Sequence, residues 1–396
     1  MQIYLDYSAT TPARPETIAK MQWVLKHQWG NPSSLHAWGQ AAATTLEEAR
    51  CRVADLIGAT DPGSIVFTAG GTEADNLALF GVTQRFEQPQ HLIISSVEHS
   101  AIAQPAQTLA AAGWQVTHLP VDAFGRVNPA ALQAAMQDNT ALVSVIYGQS
   151  EVGTLQPISE LGQIARARGA LFHTDAVQVA GRIPIDVSQG PVDLLSLSSH
   201  KLYGPQGAGA LYVRPGLSLD PLLAGGGQEN GLRSGTQALP AIAGFGVAAE
   251  LAADELATET SRLQGLRDRL FAALADCPYL EPTGDLTARL PHHASFIARV
   301  PGDKSVTGRL LVRQLNLAGI GVSAGSACNS GKLSPSPILK AMGYSDRDAL
   351  AGIRLSLGRQ TTAADIDWTA SALQQILIRL VESQPHKSPI KQPVRQ

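Results

Sequence analysis

Short apolar runs alternate with longer stretches whose apolar residues recur every three or four positions, and this alternation fills the first half of the chain. The short runs predict strands at 64–67 (SIVF), 91–95 (HLIIS), 115–119 (QVTHL), 141–146 (ALVSVI), 170–173 (ALFH), 194–198 (LLSLS) and 208–213 (AGALYV). Between them lie helical patterns such as 44–57, where Leu46, Ala49, Val53 and Leu56 form a stripe that leaves Cys51 off it. Strands and helices in alternation predict an α/β fold with a largely parallel sheet flanked by helices. From Ala238 to Ala275 the pattern becomes one long helix rich in Ala, Leu and Glu, and a helix of that length commonly bridges two domains, which puts a boundary near residue 256. Beyond it, a strand in ASFIARV, a helix from Lys304 to Gly319 and a terminal helix carrying Leu373, Ile376, Leu377 and Leu380 predict a smaller α/β domain. The final stretch, SQPHKSPIKQPVRQ, has three prolines and no apolar stripe and is expected to be a disordered tail.

Composition narrows the context. A chain of 396 residues exceeds what one core usually organises, in keeping with two domains. Its net charge of -3 supplies no basic field for nucleic acid. The N-terminal MQIYLDYSATTPARPE has no signal-peptide pattern, and the quiet run from Gln237 to Ala249 is interrupted by Pro240 and too short to span a bilayer. Cys51, Cys277 and Cys328 cannot all pair and have no zinc-site spacing, so no metal is expected and the setting reads as a reducing compartment, the cytoplasm.

Candidate chemistry lies where the predicted strands end, the usual place for ligands of open α/β sheets. TAGGTEADNLAL (Thr68–Leu79) follows a strand, passes two glycines and opens a helix near Thr72, so its backbone N–H groups favour an anion. HTDAVQ places Asp175 just after the apolar strand ALFH, where a carboxylate calls for a compensating partner. SSHKLYGPQGAGA places Lys201 in a polar turn beside Ser198 and His200, with Gly204, Gly207 and Gly209 allowing close backbone packing. Each has an ordinary reading when taken singly: a glycine turn, a salt-bridged acid, a solvated lysine, and for His99 in SVEHSAI a structural histidine. Together they match what pyridoxal phosphate needs, namely a lysine for its aldehyde, a carboxylate for its pyridine nitrogen, a flat group against its ring and an anion cup for its phosphate. A further oddity is SAGSACNSGKL, which sets Cys328 in a polar stretch with no apolar period, a poor place to bury a thiol and a good one to expose a reactive sulfur.

An ordered series of motifs resembles group I cysteine desulfurases, in the class V aminotransferases of fold type I pyridoxal phosphate enzymes. It runs from YLDYSATTP (Tyr4–Pro12) and GNPSSLH (Gly30–His36) through HTDAVQ and SSHKLYGP to RSGT (Arg233–Thr236), GSAC (Gly325–Cys328) and IRLSLGR (Ile353–Arg359). The resemblance implies a large cofactor domain over residues 15–256, a small domain made of 1–14 and 257–382, and a tail over 383–396. It implies Lys201 as the lysine joined to the cofactor, Asp175 on the pyridine nitrogen, His99 stacked on the ring and Gln178 near the ring hydroxyl. Gly71, Thr72, Ser198 and His200 would surround the phosphate, Thr236 would reach the phosphate of the neighbouring subunit in a homodimer, and Arg354 would pair with the substrate carboxylate. The family's usual Asn pair is replaced by Gln149 and Ser150, so Ser150 is expected to make the contact to the cofactor hydroxyl. The Pro-rich basic tail also departs from the segment that many relatives use to dock an iron-sulfur scaffold protein.

The implied reaction converts L-cysteine to L-alanine, with Cys328 on a mobile loop taking the sulfur as a persulfide for iron-sulfur assembly or another acceptor. Lys201 would move the Cα proton and His99 would help deprotonate the substrate thiol. A lyase or aminotransferase acting on another amino acid is the alternative within the fold, and Cys328 speaks against it. A cofactor-free sulfur carrier is the alternative outside it, and the set of Asp175, Lys201 and Thr72 speaks against that.

Overall fold

The computed structural model describes residues 2–301, 306–325 and 334–382. In chain order the first half contains β1 (Ile3–Tyr4), α1 (Pro15–His27), α2 (Ala37–Leu56), β2 (Ile65–Thr68), α3 (Gly71–Thr83), β3 (His91–Ser95), α4 (Ser100–Ala111), β4 (Gln115–Leu119), α5 (Pro129–Ala135) and β5 (Thr140–Ser144). It continues through α6 (Ile158–Ala167), β6 (Leu171–Asp175), β7 (Leu194–Ser198) and β8 (Gly209–Val213) to the long α7 (Leu239–Leu274). The remainder consists of β9 (Leu280–Pro282), β10 (His293–Ala298), α8 (Gly308–Leu317), β11 (Ile320–Gly321), β12 (Ser323–Ala324), α9 (Pro337–Ala341), α10 (Asp346–Ala349), β13 (Gly352–Ser356) and α11 (Ala363–Glu382).

Seven strands form the main sheet in the order β2-β8-β7-β6-β5-β3-β4. β3, β4, β5, β6 and β7 run parallel, and β8 is antiparallel to both of its neighbours. Outside the edge strand β4, strand residues are buried on both sides, and alternate ones feed different cores. Ile65, Phe67, Ile93, Val143, Leu195 and Leu197 join the cluster that contains α2 and the first part of α7. Val66, Leu92, Ile94, Leu142 and Leu194 join the cluster on the opposite face with α3 and α4. That two-sided burial is why the strands read as continuous apolar runs in the sequence.

A second, antiparallel sheet, β12-β13-β10-β9, carries a separate core. Ile3 and Leu5 from the N-terminus pack into it, together with Leu263, Leu270 and Leu274 from the later turns of α7. The earlier turns of the same helix, through Ile242, Phe245 and Ala249, pack into the large-sheet core.

Several boundaries differ from the sequence expectation. β6 runs on to Asp175, which ends the strand rather than following it. β5 stops at Ser144, and Val145 and Tyr147 continue alongside β6 through single bonds to the carbonyls of His173 and Asp175. α8 begins only at Gly308, because the Thr307 side chain caps it by accepting from Leu310 N, and it ends at Leu317. Lys304 and the tail 383–396 lie outside the described residues.

Candidate active site

The parallel strands end together on one edge of the sheet, and the chain reverses direction there. From β3 it crosses to β4 on one side and returns to β5 on the other, which opens a crevice above the β3–β5 boundary. A pocket of about 220 Å³ lies there, and nine of the twelve residues that line it are candidates from the sequence: Gly71, Thr72, His99, Ser150, Asp175, Gln178, Ser198, His200 and Lys201. The others are Ile146, Val177 and Asp75, an acid that the sequence reading did not single out.

Close packing sets the anion cup. A Cβ on Gly209 of β8 would lie 2.6 Å from Gly70 Cα, and one on Gly71 would lie 2.7 Å from Val177 Cγ2. Only glycines let β8, the turn and the first turn of α3 come this close, with the N-terminal N–H groups of α3 turned to the pocket. Arg233 Nε donates to Glu73 in that first turn at 2.8 Å. The RSGT segment is tied there, while its Thr236 is exposed and outside the pocket lining.

The floor is held from below. Lys201 Nζ donates to the carbonyls of Ser8 at 2.5 Å and Ala9 at 2.8 Å, and Gln178 Nε2 shares the Ser8 carbonyl at 2.9 Å. His200 Nδ1 lies 3.0 Å from the Thr10 hydroxyl, and burial together with the Lys201 charge pushes the ring down to about 4, so it is neutral at pH 7. Asp175 is buried and accepts from Val177 N at 2.9 Å. Burial raises its pKa, while His99 and Lys201, which face it, oppose that rise. His99 caps α4, its Nδ1 accepting from Ala101 N at 3.2 Å. With Nδ1 engaged as acceptor, a neutral ring carries its proton on Nε2. In this geometry Nε2 is a donor, which suits a ring held flat over a cofactor better than a base for a thiol.

The Gln149–Ser150 departure has a local explanation. Gln149 is buried and turns inward, its Oε1 accepting from Glu151 N and Val152 N and its Nε2 donating to Val97 O, so the longer side chain braces the turn. The Ser150 carbonyl receives Arg354 Nη1 at 2.9 Å and His293 Nε2 at 3.1 Å. Arg354 also pairs with Asp6 at 2.7 Å, and its buried Nε has no hydrogen-bond partner among the described residues. It stands on β13 with Ser323 of β12 opposite it, and the described chain pauses at Gly325, two residues further on. Cys328 lies outside the described residues.

Comparison with known proteins agrees with this arrangement. The aminotransferase class-V family model matches residues 3–368. The chain belongs to that family. A cysteine desulfurase IscS from Dictyoglomus turgidum is 42% identical over 391 residues, 98% of this chain and 97% of that protein. Among solved structures, a NifS-like protein superposes with a TM-score of 0.88 at 33% identity, covering 96% of this chain and all of the other. SspA in complex with cysteine reaches 0.79 at 34% identity, over 90% of this chain and 99% of its own. The family's cofactor is pyridoxal phosphate. The pocket fits it: a lysine amine, a buried carboxylate near it, a flat ring and a glycine-lined helix N-terminus converge on a single space.

Sequence reasoning missed three acids at the site, Asp75, Glu98 and Asp6. Asp75 had a legible signal, since it stands three residues after Thr72 and therefore on the same helix face.

Proposed function

We propose that this protein is a pyridoxal phosphate-dependent cysteine desulfurase that converts L-cysteine to L-alanine and carries the released sulfur as a persulfide on Cys328. The observation that carries the reading is the convergence of Lys201, Asp175, His99 and the α3 N-terminus on one pocket, with the chain that leads to Cys328 starting beside Arg354. Asp175 would hold the pyridine nitrogen, Gln178 and Ser150 would lie towards the ring hydroxyl, and Gly71, Thr72, Ser198 and His200 would surround the phosphate. Bound cofactor supplies the electron sink that makes bond breaking next to the amino group feasible.

The chain's own groups do the rest. Arg354 takes the substrate carboxylate, a task suited to a guanidinium whose Nε has no partner among the described residues and whose other arm would exchange Asp6 for the ligand. Lys201 moves the Cα proton, its amine held at the pocket floor by the N-terminal segment. The Cys328 thiolate attacks the substrate sulfur, the carbon–sulfur bond breaks, and its electron pair stays with the three-carbon fragment, which takes up a proton to become alanine.

The exposed Thr236 supports a homodimer in which it reaches the neighbouring phosphate, and so do Trp29, Leu35 and Trp38, which are 70%, 92% and 59% exposed, the two tryptophan rings 6.5 Å apart. The sulfur acceptor is a protein, an iron-sulfur scaffold among the candidates. No helix among the described residues is long and apolar enough to cross a membrane. The cytoplasm suits an exposed Cys51 and a buried Cys277 that are both free. The test is product analysis: with L-cysteine and a reductant, alanine and sulfide should appear in equal amounts. Pyruvate and ammonia in place of alanine would favour a lyase, and neither product would remove the reading.

A further inference from the structure

Two carboxyl groups share the pocket floor, and the reaction as read above uses only one of them. Asp75 on α3 and Asp175 at the end of β6 are 1% and 5% exposed, and one oxygen of each lies within 4.8 Å of the other and of a His99 ring nitrogen. Buried carboxylates this close do not both stay ionised readily, because burial and the neighbouring charge each raise the cost of ionisation.

The surroundings decide which acid keeps the proton. Asp175 has His99 and Lys201 beside it to favour its ionised form and a backbone N–H on Oδ1. Asp75 has the Ser196 hydroxyl to support a charge, while the Asp175 charge opposes one and Glu98, in the turn before α4, adds to that opposition once it ionises. Asp75 lines the pocket, and its buried Oδ1 has no hydrogen-bond partner among the described residues. The histidine nearest to it, His173, stands 3.7 Å from that oxygen. That ring lies between the hydroxyls of Ser144 at 2.8 Å and Ser196 at 3.0 Å, and burial pushes it down to about 3, so it brings no positive charge. Burial and the Asp175 charge push Asp75 well above the carboxylate range.

We propose that Asp75 is a positioning residue that carries the proton of a buried Asp75–Asp175 pair, leaving Asp175 as the single negative charge that faces the cofactor's pyridine nitrogen. The inference rests on the reading of Asp175 given above. An ionised pair would confront one ring N–H with two charges. A neutral Asp75 matches one positive site with one negative site and keeps the helix that carries the anion cup from being repelled by the strand that carries Asp175.

Infrared spectroscopy of the full-length protein with carbon-13 aspartate reads the proton directly. At pH 7 a protonated-carboxyl band should be present and should vanish in Asp75→Asn. In Asp175→Asn, with the neighbouring charge gone, the same band should titrate about one pH unit lower or more, a tenfold or larger change in proton affinity. Cofactor loading should lower it as well, because the ring nitrogen then neutralises Asp175. Absence of the band, or a band that survives Asp75→Asn, overturns the proposal, and so does a titration that ignores Asp175→Asn, since a merely structural acid would behave that way. Should Asp75→Asn fail to fold, the Asp175→Asn and loading comparisons still decide. A band that responds to Asp175→Asn and not to the cofactor would support the shared proton and overturn the placement of Asp175 against the ring.

Discussion

Glu98 stands one residue before His99 and is wholly enclosed. Its Oε1 accepts from the Ser95 hydroxyl at 2.5 Å and from Ile146 N at 2.8 Å, and its Oε2 has no hydrogen-bond partner among the described residues. Burial pushes it up to about 8 against the pull of those hydrogen bonds. The folded protein therefore holds a proton that the unfolded chain releases above about pH 4.5. The stabilisation is complete below that pH and is lost as pH rises through about 8. Glu98→Gln keeps the acceptor and cannot ionise, so it should escape that loss. Urea unfolding at pH 5 and pH 8 should show the wild type falling against the variant by a few kcal/mol, at about 1.4 kcal/mol for each tenfold difference in proton affinity between the folded and unfolded chain. An equal gap at both pH values would show that Glu98 is ionised in the fold. At this scale the sequence made Lys201, Asp175 and His99 legible because each stands at a strand end among small or polar residues. Glu98 was not, since an acid in a turn looks the same whether it meets solvent or a buried carboxylate, and Asp75 showed only through its helical spacing from Thr72.

The elements that place the site depend on backbone contact. Gly209 of β8 passes so close to the α3 turn that an added Cβ would meet Gly70 Cα at 2.6 Å and Leu197 O at 2.7 Å, both backbone atoms with no rotamer to yield. Gly209→Ala should therefore cost about 1–3 kcal/mol. It should also weaken cofactor retention, because the first turn of α3 has to move. Gly265→Ala, within α7 and with nothing within 4 Å of the added carbon, should leave retention unchanged and gain up to about 1 kcal/mol. Equilibrium dialysis of the cofactor with denaturant titration measures both effects, and equal retention in the two variants would contradict the cup's dependence on this packing. The strands HLIIS and LLSLS were legible to the residue, since burial on both faces leaves a mostly apolar run, and the partly exposed edge strand QVTHL was legible through its Val and Leu. β1, β9, β11 and β12, of two or three residues each, are too short to show any period and exist through pairing with distant partners. The start of α8 was misread because a Thr307 cap outweighs the helix-compatible residues before it.

Across the whole molecule, α7 joins two cores, and the N-terminal strand crosses back to the second one. The same N-terminal segment supplies the Ser8 and Ala9 carbonyls that hold Lys201 and the Asp6 carboxylate that holds Arg354, so the pocket floor and the proposed substrate clamp share one tether. That junction was the least legible part of the chain, since it joins residues more than 300 positions apart. In the proposed reaction, binding and sulfur removal belong to different groups, cofactor binding to Lys201 and Asp175, sulfur transfer to Cys328. The most direct measurement gives Cys328→Ser purified holoenzyme L-cysteine and follows the visible spectrum, protein-bound persulfide and alanine together. The expected result is a retained cofactor absorption that still responds to cysteine, with no persulfide and alanine formation reduced by about a thousandfold or more, a hydroxyl being a poor nucleophile towards sulfur. Cys51→Ser, at an exposed position on α2, should match the parent. Alanine production by Cys328→Ser at a rate near that of the parent would contradict this division of roles.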